Sequence, residues 1–177
     1  MKKYEFTGET KEIRLLFRTA TLHRIRATVA FGIVEVGDLG GWIEKEENLS
    51  HEGKAWVCGD AKVCGDAKVW GNAKVCGDAE VWGNAKVCGD AEVFSASHVL
   101  VIGAIGSRND FTTFYRDKDN EITVKCGCFL GKIDRFLEKV TQTHGDSKYA
   151  LVYRAAVEVA KLQIDLSGEA PKDADEE

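Results

Sequence analysis

Residues 53–94 read GKAWVC, GDAKVC, GDAKVW, GNAKVC, GDAEVW, GNAKVC and GDAEVF, seven consecutive hexads without a slip. Gly opens each hexad at 53, 59, 65, 71, 77, 83 and 89. Ala recurs from Ala55 to Ala91 and Val from Val57 to Val93, each at every sixth position. Ala and Val stand two apart, so in an extended segment they share one face, and the Lys or Glu between them points the other way. Gly followed by Asp or Asn supplies a corner, because these residues tolerate positive φ at little cost. A short strand and a tight corner every six residues fit neither a helix nor a hairpin sheet. They predict a coil of parallel strands. Residues 95–100 read as a degenerate eighth copy.

The pattern, an aliphatic residue often followed by Gly and with a small residue four positions on, resembles the hexapeptide-repeat family. The run GGWIEKEENLS at 40–50, with the repeat after it, resembles phage and prophage members of that family labelled polymer-forming or transferase. The resemblance covers residues from about 37 to 100. It implies three hexads to each triangular turn and a left-handed superhelix, the hand opposite to the usual crossover rule. The expected fold is therefore mainly β. An N-terminal β region at 1–52 leads into a left-handed parallel β-helix at 53–100, followed by an α/β cap at 101–166 and a disordered acidic tail at 167–177.

With that turn, residues 18 apart stack at about 4.8 Å. Val57, Val75 and Val93 form one inner column, Val63, Val81 and Val99 a second, and Val69 with Val87 a third. Outside, Lys62 stacks near Glu80 and Lys74 near Glu92, exposed pairs of about 0.5 kcal/mol each that serve register more than stability. The position after each Val is occupied by Cys58, Cys64, Trp70, Cys76, Trp82, Cys88 and Phe94, a ring expected on or near the outer surface. Such a ring needs cover, either from the flanking segments or from another subunit. Seven hexads make little more than two turns, which also calls for caps or partners.

The flanks differ in period. Tyr4-Glu5-Phe6 and residues 22–27 alternate as strands do. Val99-Leu100-Val101-Ile102, residues 112–115 and residues 122–125 also read as strands, with a turn at 116–120 between the last two. Ile133, Phe136, Leu137 and Val140 have helical spacing ending near Gly145, and Tyr149, Tyr153, Val157, Ala160 and Ile164 predict a second helix.

Composition narrows the function. The 177 residues carry 24 Lys and Arg against 29 Asp and Glu, a net charge of −5 that speaks against a nucleic-acid duplex as partner. No apolar run reaches the roughly 18 residues of a membrane span. Met1-Lys2-Lys3-Tyr4-Glu5 is followed by no apolar segment, so no signal peptide is expected and the protein reads as cytoplasmic. In that compartment the six cysteines are expected as thiols, although Cys58 and Cys76 would be close enough to join.

The resemblance brings an enzyme class with it, acyltransferases that use a histidine base at a subunit interface. Of His23, His51, His98 and His144, His98 is the candidate base. No long loop is seen to close over an acyl donor. Cys126 and Cys128 share a strand face, but no CxxC pair or second cluster accompanies them, so neither a metal nor a cofactor is expected. The leading reading is a non-catalytic homo-oligomer, a trimer by the family's habit. Trp70 and Trp82 would offer a stacking surface, with Phe94 at the interface and Arg108 available to an anion. The resemblance further implies a phage product that sequesters a host protein or a nucleotide-like ligand in the host cytoplasm. The alternatives are an acyltransferase through His98 and a purely structural assembly module.

Overall fold

A computed structural model of the chain describes residues 1–167. The long N-terminal strands are β1 (Tyr4–Arg14), β2 (Thr19–Ala27) and β3 (Leu39–Ile43). Each hexad then contributes a strand of two residues: β4 (Trp56–Val57), β5 (Lys62–Val63), β6 (Lys68–Val69), β7 (Lys74–Val75), β8 (Glu80–Val81), β9 (Lys86–Val87) and β10 (Glu92–Val93). Strands β11 (Val99–Ile105), β12 (Asp110–Arg116), β13 (Ile122–Cys126) and β14 (Phe129–Lys132) follow, then helices α1 (Ile133–His144) and α2 (Lys148–Gln163).

Six-residue punctuation explains the short strands. The seven hexad glycines have φ between 62° and 75°, and the residue after each, Lys54 in the first hexad and Asp or Asn in the other six, does not share the left-handed conformation. The corner thus falls on Gly alone. Parallel pairing joins strands 18 residues apart: Val57 to Val75, Val75 to Val93, Val63 to Val81, and Val69 to Val87. Backbone bonds such as Cys58 N–H to the Val75 carbonyl, 2.9 Å, hold these ladders. All seven hexad Val and all seven Ala side chains are buried together. The outward pairs lie where the repeat puts them, Lys62 to Glu80 at 2.7 Å and Lys74 to Glu92 at 3.4 Å.

The expected left-handed parallel β-helix with its cap is nevertheless corrected. The strands divide into four small sheets, none of which closes or continues as a solenoid sheet. One is five-stranded and mixed, in the order β1-β2-β3-β5-β8; another is the parallel trio β10-β7-β4; a third is the pair β6-β9. The fourth, β11-β12-β13-β14, is antiparallel throughout. Two-residue strands make ladders too short to merge into one surface. The longer flanking strands therefore dictate sheet identity, capturing β5 and β8 into a sheet with the antiparallel β1–β2 hairpin. The architecture is an assembly of small mixed and parallel sheets with two helices.

The eighth hexad is also corrected. Residues 96–98 form a 3-10 turn, and Val99 pairs with Tyr115 instead of extending the Val63 and Val81 column. At the other end the stack begins earlier than the repeat. Ile43 pairs in parallel with Val63, and Leu49 bridges to Val69. The Asn48 amide donates to the Gly65 and Ala67 carbonyls at 3.1 and 2.8 Å, closing that end. Ile43 and Leu49 stand six apart, a hexad signal hidden by the lack of Gly corners.

Both helices form as their spacing predicts. Phe136, Val140, Tyr153 and Val157 pack against Phe114 and Val124 in a second core. Strand β14 carries no alternating pattern, and its pairing with β13 comes from the tight turn between them. Apart from Ser167, the acidic tail expected at 167–177 lies outside the described residues. No helix among the described residues is long and apolar enough to cross a membrane.

Candidate functional site

The β1–β2 hairpin overhangs the hexad stack. Its closing pair is Arg14 with Thr19, and the turn is tied by the Leu15 N–H donating to the Arg18 carbonyl at 2.8 Å. Leu15 turns inward with Ile13 onto Leu22, Trp42 and Cys64. Leu16 and Phe17 are left pointing to solvent, 86% and 93% exposed. Beside this tip lies a groove of about 930 Å³, whose apolar lining includes Leu16, Phe17, Trp82, Leu100, Val101 and Phe111. Trp82 is 51% exposed there, against near-complete burial of Cys64 one step below it in the same column.

The charged groups of the groove are internally matched. Arg18 grips Glu44 with two hydrogen bonds, 2.5 and 2.8 Å, and Glu44 also accepts the Gly65 N–H at 2.7 Å. The Arg18 bonds, with that N–H and against the cost of desolvation, hold the Glu44 carboxyl down at about 2. Lys45 pairs with Asp66 at 3.0 Å. Both cations are thus engaged, and three carboxylates face two cations across the groove. The site therefore suits an apolar surface better than a phosphate.

Part of the outward ring finds, in the flanking segments, the cover that it needs. Cys64 and Cys88 are buried, the first under the hairpin and the second under Tyr115, whose hydroxyl donates to the Cys88 carbonyl at 2.9 Å. Burial pushes the Cys64 thiol up to about 11 and raises that of Cys88 as well. Cys58 and Cys76, expected as free thiols, are joined by a disulfide with their Cα atoms 4.5 Å apart. This correction follows from the register, which brings equivalent positions of successive turns into direct contact.

Trp70, Trp82, Phe94 and Arg108 do not converge. Trp70 is half-buried over a separate hollow beside Leu49 and His51. Phe94 is buried, with the His98 ring edge-on at 6.2 Å and the Arg116 guanidinium 5.9 Å from its centre. Arg108 lies at the C-terminal sheet, in a cavity with Cys126 and Cys128. The two-tryptophan stacking surface is therefore replaced by Trp82 alone with the hairpin tip. Leu15-Leu16-Phe17 between Arg14 and Arg18 is the signal that could have marked the tip.

His98 is placed as a structural residue. Its Nδ1 accepts the Phe94 N–H at 3.1 Å, and its Nε2 faces the Arg116 guanidinium at 3.4 Å. Burial first, then the Arg116 charge, lowers its pKa. His51 is held alike, accepting the Lys3 N–H at 3.1 Å while stacked on Tyr4. A general base must reach the hydroxyl it deprotonates. His98, buried and with both ring nitrogens facing protein groups, does not present itself to one. Among the described residues, no three His, Cys, Asp or Glu side chains are grouped to hold a metal.

Neither the protein-family models nor the curated proteins contain a match to this chain.

Proposed function

We propose that the protein is a non-catalytic, homo-oligomeric binding protein of the phage hexapeptide-repeat type. In this reading the groove beside Trp82 is where one copy seats against the next. The observation that carries it is the pairing, on one face, of a hairpin tip bearing two almost fully exposed apolar side chains with an apolar groove of matching character. Leu16 and Phe17 themselves line the groove, so tip and groove form one continuous apolar patch that a second copy would cover, and the trimer is the assembly that the resemblance implies. The assembled oligomer holds its ligand, a host protein or a nucleotide-like molecule, in the host cytoplasm and keeps it from use. The burial of His98 gives the acyltransferase alternative no support.

Native mass spectrometry of the protein gently purified from host lysate tests this reading. A discrete oligomer with a stoichiometric added mass is the expected result, and the mass identifies the ligand class. A clean oligomer that carries nothing, with or without added nucleotides, would replace sequestration by structural assembly. A monomer at micromolar concentration would overturn the reading.

A further inference from the structure

The hairpin joining β13 to β14 carries two of the four free cysteines. Cys126 pairs with Phe129, leaving a two-residue turn of Gly127 and Cys128. Gly127 has φ 55°, the left-handed first position that such a turn requires. Cys126 is half-buried and accepts a hydrogen bond from the Thr112 hydroxyl at 3.3 Å, whereas Cys128 is exposed. Both thiols line one cavity of about 470 Å³ together with Arg108, Lys139 and His144. Arg108 lies on the turn itself, since a Cβ added to Gly127 would stand 3.0 Å from its Nη1. Among the described residues Arg108 has no carboxylate within ion-pair distance.

The geometry points to a thiol–disulfide exchange site at Cys126 and Cys128, one that takes an anionic low-molecular-weight disulfide as oxidant. Three observations combine. Residues two apart span about 7 Å at full extension and less in a turn, so the two Cα atoms fall within the reach of a disulfide. One thiol is open to an incoming sulfur while the other is recessed beside it, the arrangement of an attacking and a resolving cysteine. An unpaired guanidinium on the turn attracts carboxylate-bearing disulfides. The remaining cysteines lack these features: Cys58 and Cys76 are already joined, and Cys64 and Cys88 are buried.

The chemistry balances with glutathione disulfide as probe. The Cys128 thiolate attacks one sulfur, the S–S bond breaks, and the first glutathione leaves with the electron pair and takes up a proton. The Cys126 thiolate then attacks the Cys128 sulfur of the mixed disulfide and expels the second glutathione, which is protonated in turn. The protein loses two electrons and two protons, and the disulfide becomes two thiols.

Site-resolved alkylation of the full-length, reduced protein follows the reaction. Wild type treated with glutathione disulfide is expected to lose two hydrogens from the segment holding Cys126 and Cys128. Cys126→Ser should stop with one glutathionyl group on Cys128. Arg108→Gln, a change at an exposed side chain, should slow the reaction about tenfold with glutathione disulfide, and much less with the uncharged bis(2-hydroxyethyl) disulfide. That charge contrast keeps the test decisive should Cys126→Ser fail to fold. The proposal is overturned if both thiols remain alkylatable after oxidation, if wild type halts as the mixed disulfide, or if Arg108→Gln reacts with glutathione disulfide at the wild-type rate.

Discussion

Replacing Trp82 by Ala probes association, because about half of that ring is exposed in the monomer and open to cover by a partner. Taking the ring as about 200 Å² when wholly buried, the 51% that is free corresponds to about 100 Å² available to a partner. At about 25 cal/mol per Å², covering it supplies about 2.5 kcal/mol, or roughly a sixtyfold change in the dissociation constant. Phe17, 93% exposed, has nearly twice that area to bury, so Phe17→Ala should weaken association at least as much. Both residues line the one groove, so under the proposed assembly the double variant should be monomeric at concentrations where wild type associates. Sedimentation equilibrium over a range of concentrations measures the constants, and thermal unfolding of each variant checks that the monomer is intact. The reasoning fails if Trp82→Ala assembles as tightly as wild type. It fails equally if the variant loses assembly only by losing its fold.

Three further outcomes follow from particular contacts. Gly83→Ala meets no atom within 4 Å and should cost about 1 kcal/mol for its φ of 64°, whereas Gly53→Ala drives a Cβ to 2.6 Å from the Gly71 carbonyl oxygen and should lower the unfolding temperature much further. The low pKa of Glu44 stabilises the fold above its ordinary value of 4.5, and that stability should be lost as pH falls from 4.5 towards 2. Urea unfolding across this range should show the slope in wild type and a shallower one in Glu44→Gln. His98→Ala leaves the buried Phe94 N–H without its acceptor and should cost about 1–3 kcal/mol in calorimetry, with no effect on ligand uptake by the oligomer.

Much of the local structure was legible because its signals are short-range. Gly at every sixth position dictates the corners, Ala and Val two apart dictate the inner face, and i, i+3, i+4 spacing dictates both helices. The 18-residue register, taken from the family resemblance, appears in the Val57, Val75 and Val93 ladder and in the Lys62–Glu80 pair. The disulfide between Cys58 and Cys76 follows from that same register, and the expectation of thiols erred by weighing compartment above proximity. The β14 strand and the added Ile43 and Leu49 layer escaped because neither carries the Gly corner or the alternation that marks its neighbours.

What the sequence determined by itself was the repeat, its buried face and the two helices, all properties of residues near one another in the chain. Only the tertiary structure decided which outward side chains stay exposed. The β1–β2 hairpin covers Cys64 but leaves Trp82 open, and Tyr115 closes over Cys88, though the three occupy equivalent positions in their hexads. The same holds for sheet identity, where β5 and β8 join the hairpin instead of the other hexad strands. A two-residue strand has too few hydrogen bonds to choose its own sheet, so the choice passes to the longer strands that dock against it.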